Sequence, residues 1–296
     1  MSTMRQRFYD LAGSALDEDP RVALVLAEIG VAQLPRHPRV FNVGIREQLL
    51  IGVAAGLAFE GMRPVAHSYA PFLVERPYEQ IKLDLGHQEV GAVLVSTGAS
   101  YDAASAGRTH QAPADVALLA ALPGWTIHVP GHPDELETAF RAALRGDDRV
   151  YIRMSEERNR APVAADGLTV LRHGSARAPV VVAVGPTLDQ ALAAAADLDA
   201  TVAYLETVRP FDAAGLRRAM RGTDVALVEP YLAGTSAGEV AAALSDRPHR
   251  LLALGVANAE LRRYGTGQDH RAAHGLDAAG IRRSLDAFLD VRALAA

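Results

Sequence analysis

From Leu49 to Phe59 the chain runs eleven residues without one charged or polar side chain, Leu-Leu-Ile-Gly-Val-Ala-Ala-Gly-Leu-Ala-Phe. The run is too short to span a bilayer, which takes about 20 residues, so it must be covered by protein. Its length and composition predict a helix buried nearly all round inside a sizeable protein. Gly52 and Gly56 cost helix propensity, roughly 1 kcal/mol each, which predicts another backbone in close approach. The charged residue beside the run is Glu47. A carboxylate at the mouth of a buried helix is paired, neutralised or used. The plainer expectation is a surface Glu in a first helical turn, where the helix dipole favours negative charge.

A chain of 296 residues exceeds the usual size of one domain and predicts two. Its net charge of −5 comes without a basic block, so neither a nucleic-acid surface nor an anionic membrane surface is indicated. The absence of cysteine excludes disulfides, thiolate zinc sites and thiol catalysis, and suits a cytoplasmic protein. The N-terminal segment lacks the apolar core of a signal peptide. Lys82 is the single lysine, so a Schiff-base mechanism would have to use it.

Short apolar strands alternate with helical patterns, implying parallel sheets covered on both faces. The predicted order begins with a helix over 3–16 and strands over 22–27, 40–43 and 64–69. A helix over 72–87 and a strand over 92–96 follow. A long small-residue loop then covers 97–110, and a loop of that length in a compact domain is usually functional. A helix over 113–121, a strand over 126–130, a helix over 133–145 and a strand over 150–154 complete the first unit, residues 1–160. Residues 161–178, rich in Pro, Gly and charge, read as a linker. A second, smaller α/β unit follows over 179–296, with strands at 180–184, 201–205, 225–229 and 251–254.

Three motifs follow strands of the first unit: Gly44-Ile45-Arg46-Glu47-Gln48, Tyr69-Ala70-Pro71-Phe72-Leu73 with Arg76 and Tyr78, and Gly107-Arg108-Thr109-His110-Gln111. Ligands bind outside the carboxyl ends of strands in open α/β sheets. With Ala-x-Gly-Leu-Ala at 54–58, Gly-x-x-Pro at 61–64 and Leu-Pro-Gly at 122–124, the ordered set resembles the transketolase family. More loosely, Arg209-Pro210-Phe211-Asp212 and Leu254-Gly255-Val256 extend the resemblance over nearly the whole chain. It implies a thiamine-diphosphate pyrimidine-binding fold followed by a transketolase C-terminal fold.

The resemblance implies roles as well. Glu47 matches the acid that shares a proton with the cofactor's aminopyrimidine ring. Burial would raise its pKa and the helix N-terminus would lower it. Phe72 matches the residue stacking on the pyrimidine, with Tyr69 and Tyr78 as weaker candidates for the same wall. His110 matches a substrate-facing histidine that stabilises charge at the reacting carbonyl. Arg76 is expected either at the site or in an ion pair with Glu75 or Glu79. Arg108 and Arg153 are further substrate candidates.

The family's Mg²⁺ site, a Gly-Asp-Gly segment with a downstream Asn, is absent from the sequence, and no metal ligand is assigned here. The resemblance thus implies the C-terminal subunit of a split transketolase, inactive alone. A separate N-terminal diphosphate-binding subunit would hold the Mg²⁺, in an expected heterotetramer. Ala106 stands where the family usually has a sugar-binding Asp. Gly98 and Glu156 replace basic residues that grip a substrate phosphate, and Glu28 replaces an Asp. A carboxylate at the phosphate position repels the usual substrate, which predicts weak activity on ordinary pentose phosphates. The other readings are a 2-oxoacid dehydrogenase beta subunit, which shares the layout and the Glu, and a non-catalytic scaffold or regulatory subunit. A nicotinamide enzyme is disfavoured because no Gly-x-Gly-x-x-Gly follows a strand.

Overall fold

A computed structural model describes residues 3–164, 166–260 and 262–295. Among these the strands form two sheets. The first has seven strands in the order β10-β5-β6-β4-β3-β1-β2, and the second has five in the order β12-β11-β8-β9-β7. In the first sheet β1 (Val22–Leu26), β2 (Val40–Asn42), β3 (Arg63–Tyr69), β4 (Val93–Thr97), β5 (Trp125–His128) and β6 (Arg149–Arg153) run parallel. The second combines β7 (Thr169–Arg172), β8 (Val180–Val184), β9 (Thr201–Leu205), β11 (Asp224–Leu232) and β12 (Arg250–Val256). β1, β4, β8 and β9 are buried along their whole length, as strands covered on both faces must be.

Helices supply that cover. α1 (Met4–Glu18) starts at Thr3, whose hydroxyl accepts from the Gln6 backbone N–H at 3.1 Å. It packs with α5 (Pro133–Arg145) on one face of the first sheet. The other face carries α2 (Glu47–Phe59), the single turn α3 (Tyr78–Gln80) and α4 (Asp115–Ala120). The apolar cluster beneath them continues without a break into the second unit, through Val182, Leu205 and Leu227 to α7 (Ala213–Ala219) and α8 (Ala237–Ala243). α6 (Leu188–Ala194) and α10 (Ala278–Ala295) close the far face of the second sheet, and α9 (Gly267–Ala273) lies beside the junction of the units.

Several expectations change. α2 is not buried all round. Leu50, Ile51, Ala54 and Ala55 face the core, but Leu49 is 48% exposed, Phe59 58% exposed, and Ile45 just before the helix 72% exposed. A Cβ at Gly56 would meet nothing within 4 Å, so among the described residues no backbone approaches there. The helix predicted over 72–87 is two π-helical turns, Pro71–Glu75 and Ile81–His87, on either side of α3. Pro77, which has no N–H to donate, separates them. Inside the stretch read as linker, β7 forms the antiparallel edge of the second sheet. A short strand absent from the sequence reading, β10 (Thr207–Arg209), crosses back to pair antiparallel with β5. α9 is likewise absent from that reading.

Candidate functional site

The site is built where the turns after β2, β3 and β4 meet. Asn42, ending β2, accepts from the backbone N–H groups of Glu28 and Gly44, both at 3.1 Å, and donates to the Glu28 carboxylate at 3.0 Å. This clamp fixes the turn through Gly44, whose φ of +70° suits glycine, and the next residues enter α2 at Glu47. The first residue of the helix is 1% exposed. Its carboxylate accepts from Arg76 Nη1 at 2.6 Å, so Arg76 pairs with Glu47 and not with Glu75 or Glu79. The π-helical turn before Pro77 brings the guanidinium there, and Gln48 donates to the Arg76 carbonyl at 3.3 Å.

Arg76 also lies over the Phe72 ring, 4.2 Å from its centroid. The Phe72 ring meets His110 edge-on at 5.0 Å, and Tyr69 meets both, at 6.1 Å from Phe72 and 5.6 Å from His110. His110 Nδ1 sits 3.0 Å from the Thr109 hydroxyl. Glu47, Arg76, Phe72, Tyr69 and His110 therefore form one continuous chain of contacts. It contains a buried carboxylate, half-buried aromatic faces and an imidazole, a set that suits a flat, protonatable heteroaromatic ring.

Three sequence candidates lie elsewhere. Tyr78 donates its hydroxyl to the Leu118 carbonyl at 3.0 Å and so ties α3 to α4. Arg108 is exposed and pairs with Glu260 of the second unit, Nε to Oε1 at 3.2 Å, while Nη1 donates to the Gln111 carbonyl at 2.9 Å. Arg153 is fully buried. Its Nε donates to Asp115 at 2.8 Å and its Nη2 to the Ser100 hydroxyl at 2.6 Å. Asp115 also accepts from Tyr151 at 2.7 Å, so the pair belongs to a buried polar network behind the loop.

The positions that depart from the family pattern have physical settings. Gly98 has φ +70°, and a Cβ there would lie 2.2 Å from Tyr69 Cδ1. A larger residue at 98 and the present Tyr69 ring exclude each other. Ala106 ends a single turn and is exposed, and the Glu156 side chain is exposed. Asp102, which the sequence reading passed over, accepts from the backbone N–H groups of Ala99 at 3.0 Å and Glu156 at 2.9 Å. Burial pushes its carboxyl up to about 7. An acid inside a loop of small residues was the available signal. Among the described residues no group of three or more His, Asp and Glu side chains is placed to hold a metal ion.

Residues 2–162 match the family described as transketolase, pyrimidine binding domain. This chain belongs to that family. It is 51% identical over 286 residues to an uncharacterized 33.6 kDa protein in the fasciation locus of Rhodococcoides fascians, covering 93% of this chain and 91% of that one. A 6-deoxy-6-sulfo-D-fructose transketolase subunit of a Clostridium species is 30% identical, with 76% of this chain and 75% of that one covered. A 1-deoxy-D-xylulose-5-phosphate synthase of Thioalkalivibrio sulfidiphilus is 31% identical over 85% of this chain, which spans 40% of that longer protein. In fold, the chain superposes on a solved split-gene transketolase, an inactive β4 tetramer, with TM-score 0.80 at 24% identity, covering 96% and 97% of the two chains. Among the described residues no helix is long and apolar enough to cross a membrane.

Proposed function

We propose that this chain is the pyrimidine-binding and C-terminal subunit of a thiamine-diphosphate-dependent transferase of the transketolase type. It would move a two-carbon ketol or related unit between small molecules. The observation that carries the reading is the buried Glu47 carboxylate at the start of α2, joined through Arg76 to Phe72 and His110. When bound, thiamine diphosphate supplies a carbanion equivalent at its thiazolium carbon. Glu47 would face the aminopyrimidine ring through the carboxylate that otherwise accepts from Arg76, and would share a proton with it. Phe72 and Tyr69 would present ring faces to that heterocycle, and His110 would donate a hydrogen bond where negative charge develops on the substrate oxygen.

The diphosphate and its Mg²⁺ fall to a separate subunit. The subunit naming of the sulfofructose relative and the split-gene neighbour support this. So does the apolar face left open on α2 by Ile45, Leu49 and Phe59, continuous with the turn that delivers Glu47. A heterotetramer with two copies of each chain is the proposed assembly. Gly98 and Glu156, in place of basic residues, favour a substrate other than an ordinary pentose phosphate. A relative that acts on a sulfonated sugar fits such a departure.

The test is co-expression with a diphosphate-binding chain, followed by assays with phosphorylated and non-phosphorylated ketose donors. Glu47→Gln is expected to cut turnover by about 100-fold or more, the scale of a lost proton-transfer partner. Near-native turnover in that variant would sink the reading. Efficient turnover of xylulose 5-phosphate would sink the substrate part alone.

A further inference from the structure

His110 is held by its backbone as well as by its ring. The Gln111 N–H donates to the Arg108 carbonyl at 3.2 Å, and Arg108 Nη1 donates back to the Gln111 carbonyl at 2.9 Å. These two bonds close a bracket around Thr109 and His110, so the direction of the imidazole follows the place of the Arg108 side chain. That side chain is anchored in turn by the second unit. Glu260, past the end of β12, meets Arg108 Nε through Oε1 at 3.2 Å and Oε2 at 3.4 Å. Tyr264, a few residues further on, lies against the start of the same motif. A Cβ built on Gly107 would stand 2.8 Å from Tyr264 Cε1, so the ring fills the space that a side chain at 107 would need. Gly107 has φ +75° and ψ −166°, a region essentially reserved for glycine. Backbone of this kind persists only where its surroundings impose it, and it gathers at functional sites.

The rest of the loop shows why these two contacts matter. Its ends are fastened to β11: the Ser100 hydroxyl donates to the Pro230 carbonyl at 2.7 Å, and the Leu232 N–H donates to the Pro113 carbonyl at 2.7 Å. Between those ends there is no continuous core. A cavity of about 330 Å³ separates Arg108 and Gln111 from Ala257, Asn258 and Ala259. The stretch that carries His110 is met instead by Glu260 and Tyr264. Neither contact has the character of a stabilising core element. The Arg108 and Glu260 side chains are 53% and 56% exposed, and Tyr264 is 69% exposed. Exposed ion pairs contribute little to folding, so what this pair can fix is a direction. We propose that Glu260 and Tyr264 are positioning residues, through which the second unit sets the orientation of His110. The inference rests on the role given to His110 above. It assigns the second unit a part in the reaction although none of its side chains belongs to the contact chain from Glu47 to His110.

The test has two arms. In the first, the full chain is labelled with ¹³C-histidine, and its ten histidines are followed by ¹H–¹³C correlation spectra. The His110 cross-peak is assigned by its loss in His110→Gln. Glu260→Ala and Tyr264→Ala should each shift or broaden that cross-peak while those of His67 and His249 stay in place. Tyr264→Phe, which keeps the ring against Gly107, should restore the native position. An unmoved His110 cross-peak in both alanine variants overturns the proposal. In the second arm the same variants are assayed in complex with a diphosphate-binding chain. Glu260→Ala should lower kcat by about tenfold, less than the roughly 10²-fold that a 1 Å misplacement can cost. Thiamine diphosphate affinity and the urea midpoint should remain native, since neither residue touches the contact chain at Glu47. Native kcat in both alanine variants beside an impaired His110→Gln overturns the proposal, as does a kcat loss that merely tracks a lowered urea midpoint. Native kcat in His110→Gln removes the catalytic reading of His110 itself, and with it the second unit's part in the reaction, whatever the spectra show.

Discussion

Arg76→Met isolates the pair at the centre of the site. The Glu47 side chain is 2% exposed and that of Arg76 38%, with 2.6 Å between Nη1 and Oε2. Removing one partner of a fully buried pair costs about 3–5 kcal/mol, because the survivor is left charged and dry. Arg76 is more than a third open to water, and solvent screening brings that figure down to about 2 kcal/mol. The lost contact with the Phe72 ring adds about 0.5–1 kcal/mol. Glu47→Gln should cost less, about 1 kcal/mol, because a neutral amide tolerates burial and Arg76 can turn to solvent. The double variant then falls short of the sum by about 1–2 kcal/mol, the coupling expected of residues in direct contact. Urea unfolding followed by the fluorescence of Trp125, the single tryptophan and 6% exposed, reads all four chains. A native-like midpoint for Arg76→Met, with coupling near zero, would refute the idea that Arg76 neutralises Glu47.

Two further outcomes follow from the loops around the site. Gly98→Ala places a Cβ 2.2 Å from the Tyr69 ring at a positive φ. Left-handed backbone costs about 1–2 kcal/mol and overpacking about 1–3 kcal/mol. A loss of about 2–5 kcal/mol in urea unfolding is expected, of which adding Tyr69→Ala relieves the overpacking part and leaves the backbone part. Asp102→Asn should change how stability depends on pH. The folded carboxyl sits at about 7, above its unfolded value of about 3.9. Between those values the folded chain holds the extra proton, so the native protein loses stability as pH rises. The variant lacks that loss, and its advantage grows by up to about 1.4 kcal/mol per pH unit through the window, then levels above it. His67, pushed down to about 4 by burial, works in the opposite sense over part of the same range, but it is common to both proteins and cancels in the difference. Parallel pH curves for variant and native would contradict the assignment.

The parts of the fold legible beforehand were those with a single burial regime. β1 and β8 read correctly because strands covered on both faces are continuous apolar runs. α5 read to the residue because Pro133 opens it, Gly146 closes it and its core face repeats at helical spacing. β7 and β10 are short edge strands of mixed composition, and no periodicity marks three or four residues. α2 misled for a different reason. Apolar composition records that a surface is covered without saying whether this chain or another covers it. In the site, residue types and their order survive in sequence. The Arg76 pairing does not, because it depends on how the π-helical turn Pro71–Glu75 rotates a side chain toward a partner 29 positions away. Arg153 looked available only because burial cannot be read from a charged residue at the end of a strand.

The return of β10 to the first sheet bears on how the chain can be divided. Nucleotide-level dissection at the polar stretch near 161–178 would separate β5 from the strand that covers its outer edge, since Thr207 pairs with His128 and Arg209 with Ile127. A fragment ending there would leave the β5 backbone open along that edge, a template for pairing with other copies. The apolar cluster running from α2 to α8 would be cut through as well. The two sheets are thus tied as a garment is by a stitch that passes through both layers. Their boundary in sequence is not a place where the protein comes apart, and melting of one half should carry the other with it.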